Sequence, residues 1–79
     1  MQIRINEVLT SDLFLSSKVL YMFLFFSKEP NGLISNVKDL ADKTKMGYHQ
    51  TSLAVNQLKE EGFISVEVNG FKRKKYSIL

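Results

Sequence analysis

Residues 48–61 carry hydrogen-bonding side chains at spacings that place them together on one side of a helix. The less polar residues recur at intervals of three and four, which predicts a helix with one buried stripe, made of Thr51, Ala54, Val55 and Leu58. The opposite face then consists of His49, Ser52, Leu53, Asn56 and Glu60, with Gln50 and Gln57 on a flank. Amide side chains can pair bidentately with adenine in the major groove of DNA, serine can serve several bases, and leucine suits a thymine methyl. The pattern predicts base contacts in the first two turns, although an ordinary solvated helix face could have the same composition.

Four consecutive cations, Lys72-Arg73-Lys74-Lys75, form the second group with evident chemistry. On a strand they would point alternately to the two faces, so that one pair reaches solvent fully. Charges of this kind also protect an edge strand from aggregation. Four cations without an acid exceed that need and favour phosphate contacts. Lys45, and with it Lys43, is a further candidate for a phosphate contact.

The charge of the chain is concentrated in its second half. The 79 residues carry 11 basic and 8 acidic groups, a net charge of +3. Residues 1–32 are balanced, whereas residues 33–79 hold eight cations and five acids. A local basic excess indicates a polyanionic partner. With 44% hydrophobic and 24% charged residues, the chain has the composition of one globular domain, residues 1–79.

Other classes of function find little support in the sequence. One histidine and no cysteine leave neither a nucleophile with its base nor a set of metal ligands, and the four glycines are scattered. We therefore expect no enzyme, cofactor, metal or small-molecule ligand. The longest apolar run, residues 19–26, is far shorter than the roughly 20 residues of a membrane span. It does not resemble a secretory signal either, so we expect a cytoplasmic protein without membrane contact.

Three further patterns predict the elements that must position these side chains. A helix over residues 16–27 would begin at Ser16 as N-cap, with Leu15 and Leu20 as a hydrophobic staple. A short strand, residues 33–35, precedes a helix over residues 37–44 that Asn36 caps, with Asp39 at position N3. Residues 63–68 alternate as a strand, with Ile64, Val66 and Val68 on one side. Asn69-Gly70 then predicts a hairpin turn, and the return strand contains Tyr76 and Ile78. Gly62 would end the helix before this hairpin as its C′ residue.

The first long helix is apolar on nearly every face, which raises the question of what covers it. Residues 1–15 form an extension that could pack on or near this helix. Within it, residues 2–5 alternate like a short edge strand and residues 6–9 could make one helical turn. A second copy of the chain is the other candidate cover, and a homodimer would place Tyr21 and Phe25 in the interface.

The order of these elements resembles a winged helix-turn-helix domain. Ala41 matches the family's small residue in the first helix of the motif, and Met46 matches the hydrophobic residue that fills the gap in the turn. Leu58, Gly62 and Ile64 match the run that leads into the wing. The resemblance implies an α+β fold with a three-helix core, a C-terminal hairpin wing and a short strand between the first two helices. The chain departs from the family in having Lys45 where glycine is usual and Gly47 where a serine or threonine cap is usual. A positive φ at Lys45 would cost on the order of 1 kcal/mol.

The resemblance also implies a function. It predicts sequence-specific binding of double-stranded DNA, with recognition helix 48–61 in the major groove and wing 69–76 on flanking phosphates. The segment from residue 12 to residue 21 further resembles the start of plasmid and phage replication initiators. A transcriptional regulator and a plasmid or phage replication or maintenance factor therefore both fit. A protein-interaction or assembly module using Leu53 and the helix aromatics is the alternative, because one fold hosts many functions.

Overall fold

The chain folds into four α-helices and a small antiparallel sheet, and the computed structural model describes residues 5–27, 32–68, 70 and 73–79. The elements in chain order are α1 (Ile5–Thr10), α2 (Leu15–Phe26), β1 (Leu33–Ser35), α3 (Val37–Thr44), α4 (Tyr48–Glu60), β2 (Ile64–Val68) and β3 (Lys74–Ile78). The predicted α+β class is confirmed, as is the short strand before the second of the predicted helices. No helix within the described ranges is long and apolar enough to cross a membrane.

The sheet has the order β1-β3-β2, and β3 pairs antiparallel with both neighbours. Ile64 lies opposite Ile78, and Val68 lies opposite Lys74. The predicted hairpin is confirmed, and its register leaves residues 69–73 between the paired strands, a longer connection than the two-residue turn that Asn69-Gly70 favours. A two-residue turn would shift the pairing by three positions, whereas the observed register aligns the apolar residues of both strands on the face toward the core. Gly70 has a φ of +80°, and Asn69 lies outside the described residues.

The core lies between α2, α4 and one face of the sheet. Its fully buried side chains include Leu20, Tyr21, Leu58, Ile64 and Tyr76. The predicted stripe of α4 is buried as expected, at Thr51, Ala54, Val55 and Leu58. The N-terminal extension contributes through Val8 of α1, which is fully buried in this core. The predicted helical turn at residues 6–9 thus belongs to a six-residue helix. The predicted strand is wrong at Ile5, which begins α1, and its residues 2–4 lie outside the described ones.

Helix α2 begins one residue earlier than predicted and is not capped by serine. Its N-cap is Phe14, which forms no side-chain cap, so Ser16 lies inside the helix. Leu15 is 77% exposed, and the predicted staple between Leu15 and Leu20 is therefore wrong as well. The side chain of Gln57 on α4 replaces the local cap. Its Oε1 accepts hydrogen bonds from the Phe14 amide at 2.9 Å and from the Ser17 hydroxyl at 2.6 Å.

The segment from Asn36 to the start of α4 has the predicted geometry. Asn36 Oδ1 accepts a hydrogen bond from the Asp39 amide at 2.8 Å, which confirms the cap of α3. Lys45 ends α3 with a φ of 62°, in the left-handed region, and the next amide, of Met46, donates to the Ala41 carbonyl at 3.1 Å. Gly62, with a φ of +78°, follows α4 as the predicted C′ residue.

Replacing Lys45 with glycine should raise the free energy of unfolding by about 1 kcal/mol, because glycine adopts the left-handed conformation without the Cβ clash. Urea unfolding followed by circular dichroism measures the change. Asp42→Gly is the matched control, since Asp42 is an exposed residue inside α3, where glycine should lower stability by about 0.3 kcal/mol relative to aspartate. Equal shifts of the two variants in the same direction would contradict the argument.

Candidate nucleic-acid interface

The outer face of α4 is exposed and mostly uncharged. We define it as His49, Gln50, Ser52, Leu53 and Asn56, of which Ser52 is half-buried and the others are exposed. Leu53 is 42% exposed near the middle of this face. Gly47 supplies no side-chain cap at the start of α4, which leaves the first-turn amides open to an anion. The outer face therefore offers hydrogen-bonding groups and one apolar contact at the same helix surface.

Gln57 does not belong to this outer face, although the sequence placed it on the flank. Its side-chain carbonyl is held by the Phe14 amide and the Ser17 hydroxyl of the neighbouring helix start. Ser17 is fully buried, and its hydrogen bond to Gln57 is partly buried, whereas the bond from the Phe14 amide is exposed. We leave Gln57 out of the contact set, because a bidentate base contact would need the Oε1 that these two hydrogen bonds already occupy.

The cations of β3 lie on opposite faces of the sheet. Lys74 shares a face with Tyr76, which is buried in the core, and this face is the one toward the helices. Lys75 lies on the other face, directly opposite Glu67 of β2. Arg73 is exposed before the strand begins, and Lys72 lies outside the described residues. Lys74 and Lys75 of the basic run therefore lie on two different surfaces.

A pocket of about 390 Å³ lies where the starts of α3 and α4 meet β3. Its lining residues are Asn36, Val37, Lys38, Tyr48, Lys74 and Tyr76. Two of these side chains, Lys38 and Lys74, are cationic and exposed, and we call this site the basic pocket. The Tyr76 hydroxyl is buried and has no hydrogen-bond partner among the described residues. Burial raises the pKa of Tyr76, and the neighbouring Tyr48 raises it further, so Tyr76 is a neutral phenol at neutral pH.

The carboxylate of Asp39, in the first turn of α3, is already compensated. Asp39 Oδ2 accepts a hydrogen bond from the Ser35 hydroxyl at 3.0 Å and lies 3.4 Å from Lys43 Nζ. The Ser35 hydroxyl, then Lys43 and more distantly Arg73 lower the pKa of Asp39. Its negative charge is therefore partly offset within the protein, which leaves Lys38 and Lys74 to set the sign of the basic pocket.

The polarity along α4 supports one orientation for a polyanion. Lys45 is exposed in the turn before α4, and the basic pocket lies at the same end of that helix. Glu60 and Glu61 are exposed at the other end. Phosphate contacts are therefore favoured at the first turns of α4 and disfavoured at its last turn.

Of the two interface residues that the sequence predicted on α2, Tyr21 is wrong. Tyr21 is fully buried, with its ring edge-on to Phe63 at a centroid distance of 6.2 Å, so it cannot meet a partner. Phe25 is half-buried and packs against Phe26, which is 63% exposed. The prediction failed because an all-apolar helix gives no sign of which of its faces is turned inward.

Sequence reasoning also overlooked Lys38 and Tyr48. Tyr48 is 63% exposed as the first residue of α4, and an aromatic residue directly after Gly47 was the available signal. No local pattern marked Lys38. It lies beside Lys74 in the basic pocket because β3 pairs with β1, the strand just before α3.

The arrangement can offer hydrogen bonds and positive charge to a partner. Within the described ranges, no group of three or more histidine, aspartate or glutamate side chains could hold a metal ion. Its polar groups lie on one helix face and in one adjoining pocket, both open to solvent. No protein-family model matches the chain, and no curated protein matches it either.

Proposed function

We propose that this protein is a winged-helix domain that binds double-stranded DNA in a sequence-specific manner. Helix α4 would enter the major groove, and the basic residues at its start would bind the flanking phosphates. The domain would serve as a transcriptional regulator or as a replication or maintenance factor of a plasmid or phage. The observation that carries the proposal is the juxtaposition of the outer face of α4 with the basic pocket.

The dimensions of α4 suit the major groove. Its 13 residues extend about 20 Å, and the groove is about 12 Å wide, which admits one helix. Asn56 and Gln50 present the amides that pair with adenine, and Leu53 presents an apolar surface for a thymine methyl. A face used only for solvation has no need of a 42% exposed leucine between its amides.

The position of the cations supports phosphate binding beside that helix. Lys38 and Lys74 belong to different elements, yet both line the basic pocket next to Tyr48, the first residue of α4. A duplex whose major groove holds the first turns of α4 would bring a backbone phosphate to this end of the helix. Open amides and cations then act on the same anion.

Lys74 and Lys75 provide a matched test of this arrangement. Lys74→Ala should weaken DNA binding about 3- to 10-fold at moderate salt and reduce the slope of log K against log salt by about 0.9, because one phosphate contact is lost. Lys75→Ala removes the same charge from the adjacent position on the other sheet face, opposite Glu67, and should change the slope far less. Fluorescence anisotropy over a salt series, on a duplex selected from a random pool, measures both.

Three results would refute the proposal. One is the absence of any binding at low salt, and another is binding without a salt slope. If Lys74→Ala and Lys75→Ala weakened DNA binding equally, the orientation assigned to the duplex would be wrong. A protein-interaction module is the competing function, favoured by the exposed Leu53, and it predicts that the selection from a random pool enriches no sequence.

A further inference from the structure

Helix α2 presents an apolar stripe to solvent on the side opposite its buried face. The stripe consists of Leu15, Val19, Met22 and Phe26, at spacings of four, three and four. At 3.6 residues per turn, these positions lie within about 60° of one another around the helix axis. Three of them are 77%, 41% and 63% exposed, and Met22 is half-buried. The opposite side is the buried one, formed by Ser17, Leu20, Tyr21 and Leu24.

From this face we infer that a second copy of the chain packs against the α2 stripe, with the two α2 helices antiparallel. The chain's own N-terminal helix does not serve as the cover. Helix α1 already packs on α2 through the buried Val8, and the stripe keeps its exposure with α1 in place. The sequence predicted a homodimer through Tyr21 and Phe25. The inferred dimer uses the exposed α2 stripe instead.

The chemistry of the stripe fits a copy of itself. The only charged residue of α2 is Lys18, whose ammonium donates a hydrogen bond to the Leu9 carbonyl at 3.0 Å. An uncharged face has no like charges to oppose across a two-fold axis. The spacing of four, three and four is that of a coiled-coil seam, in which apolar side chains of one helix pack between those of its partner.

The area of the stripe is enough for a reversible dimer. With phenylalanine near 200 Å² when fully exposed, the stripe and the adjacent Phe14, which is 54% exposed, present on the order of 450 Å² of surface per protomer. Two such faces, together with the residues beside them, would bury about 1,000 Å², an area found in weak, reversible interfaces. The dimer should therefore dissociate on dilution in the micromolar range.

The antiparallel orientation follows from the sizes of the side chains and from the helix dipoles. It places Leu15 against Phe26 of the second copy and Val19 against Met22 of the second copy. A parallel pair would instead stack Phe26 on its own equivalent and align the two helix dipoles unfavourably. The interface lies on the side of α2 away from α4, so dimerisation leaves the outer face of α4 open.

Sedimentation velocity without DNA tests the inference separately from the proposed function. The dimer fraction of the unchanged chain should rise between micromolar and millimolar concentrations. Val19→Glu should weaken association at least about 100-fold, because each dimer would bury two unpaired carboxylates. Leu53→Glu is the matched control, since Leu53 is 42% exposed on α4, close to the 41% of Val19, and it should leave the dimer unchanged. Leu15→Glu, at the more exposed 77% position, repeats the test where folding is least at risk.

Orientation is tested by mixing Val19→Glu with Met22→Lys. In the antiparallel dimer the introduced charges face each other, so the mixture should form a dimer that neither variant forms alone. A parallel dimer leaves them apart, and failure of the mixture to associate would overturn the antiparallel pairing.

The inference falls if the unchanged chain remains monomeric throughout, or if Val19→Glu and Leu53→Glu associate equally well. Whatever the outcome, the affinity of Val19→Glu for a duplex with a single binding site tests the DNA proposal separately, because Val19 lies outside the outer face of α4.

Discussion

Replacing Gln57 with alanine should lower the free energy of unfolding by about 1–3 kcal/mol, although the residue was first assigned to DNA contact. Its Oε1 accepts from the Ser17 hydroxyl at 2.6 Å and from the Phe14 amide at 2.9 Å. Ser17 is fully buried, and a buried polar group deprived of its partner costs about 1–3 kcal/mol. The loss should be larger than that of a surface substitution on α4, which is usually within about 0.5 kcal/mol.

Two variants separate this structural role from the effect of a smaller side chain. Gln57→Glu retains an acceptor for both donors and places a carboxylate at the positive end of α2, so it should be tolerated at neutral pH. Ser17→Ala removes the buried hydroxyl, and in the Gln57→Ala background it should cost much less than in the unchanged chain. Urea unfolding of the four chains closes a double-mutant cycle. Additive losses would show that the two side chains do not depend on each other.

The helix-turn-helix segment could be predicted from sequence because its determinants are local. Asn36 caps α3 from three residues away, the stripe from Thr51 to Leu58 repeats at helical spacing, and Gly62 supplies the left-handed residue after α4. Each feature acts over a few residues, and each is found at the predicted place. The exposure of most of the outer face of α4 followed from the same periodicity.

The start of α2 could not be predicted, because its cap comes from a distant part of the chain. Ser16 is a good local N-cap, but Gln57 accepts hydrogen bonds from residues 40 and 43 positions earlier in sequence. This tertiary capping allows α2 to begin at Leu15 without a serine cap. The same contact removes Gln57 from the predicted DNA face, so one long-range interaction accounts for two errors.

The hairpin shows a second limit of local reasoning. Asn69-Gly70 favours a two-residue turn, yet Ile64 pairs with Ile78 and Val66 with Tyr76. Burial of apolar side chains on one sheet face fixes the register more strongly than the turn preference of a dipeptide. The alternation of the cations between the two sheet faces was predicted from the sequence, but the position of Lys74 beside the starts of α3 and α4 depends on this register and was not.

Asn56→Ala should lower affinity for the selected DNA sequence about 5- to 150-fold, which corresponds to a loss of roughly 1–3 kcal/mol for one bidentate base contact. Asn56 is exposed on the outer face of α4, one turn beyond Leu53 and Ser52. Binding to unrelated sequence should stay nearly unchanged, because nonspecific binding depends on phosphates rather than on base edges. The variant should therefore bind its target with less preference, and the salt slope should remain that of the unchanged chain.

Competition between selected and scrambled duplexes in an anisotropy assay measures this ratio. Glu60→Ala is the control on the same side of α4, one turn farther from the basic pocket, where an acid would repel phosphate. It should leave the affinity for DNA unchanged or raise it, with no change in preference. A uniform loss on all sequences for Asn56→Ala would make Asn56 a backbone contact, and no loss at all would remove it from the interface. Because Asn56 lies nearer the acidic end of α4 than Gln50 does, its effect also measures how far along the helix the groove is engaged.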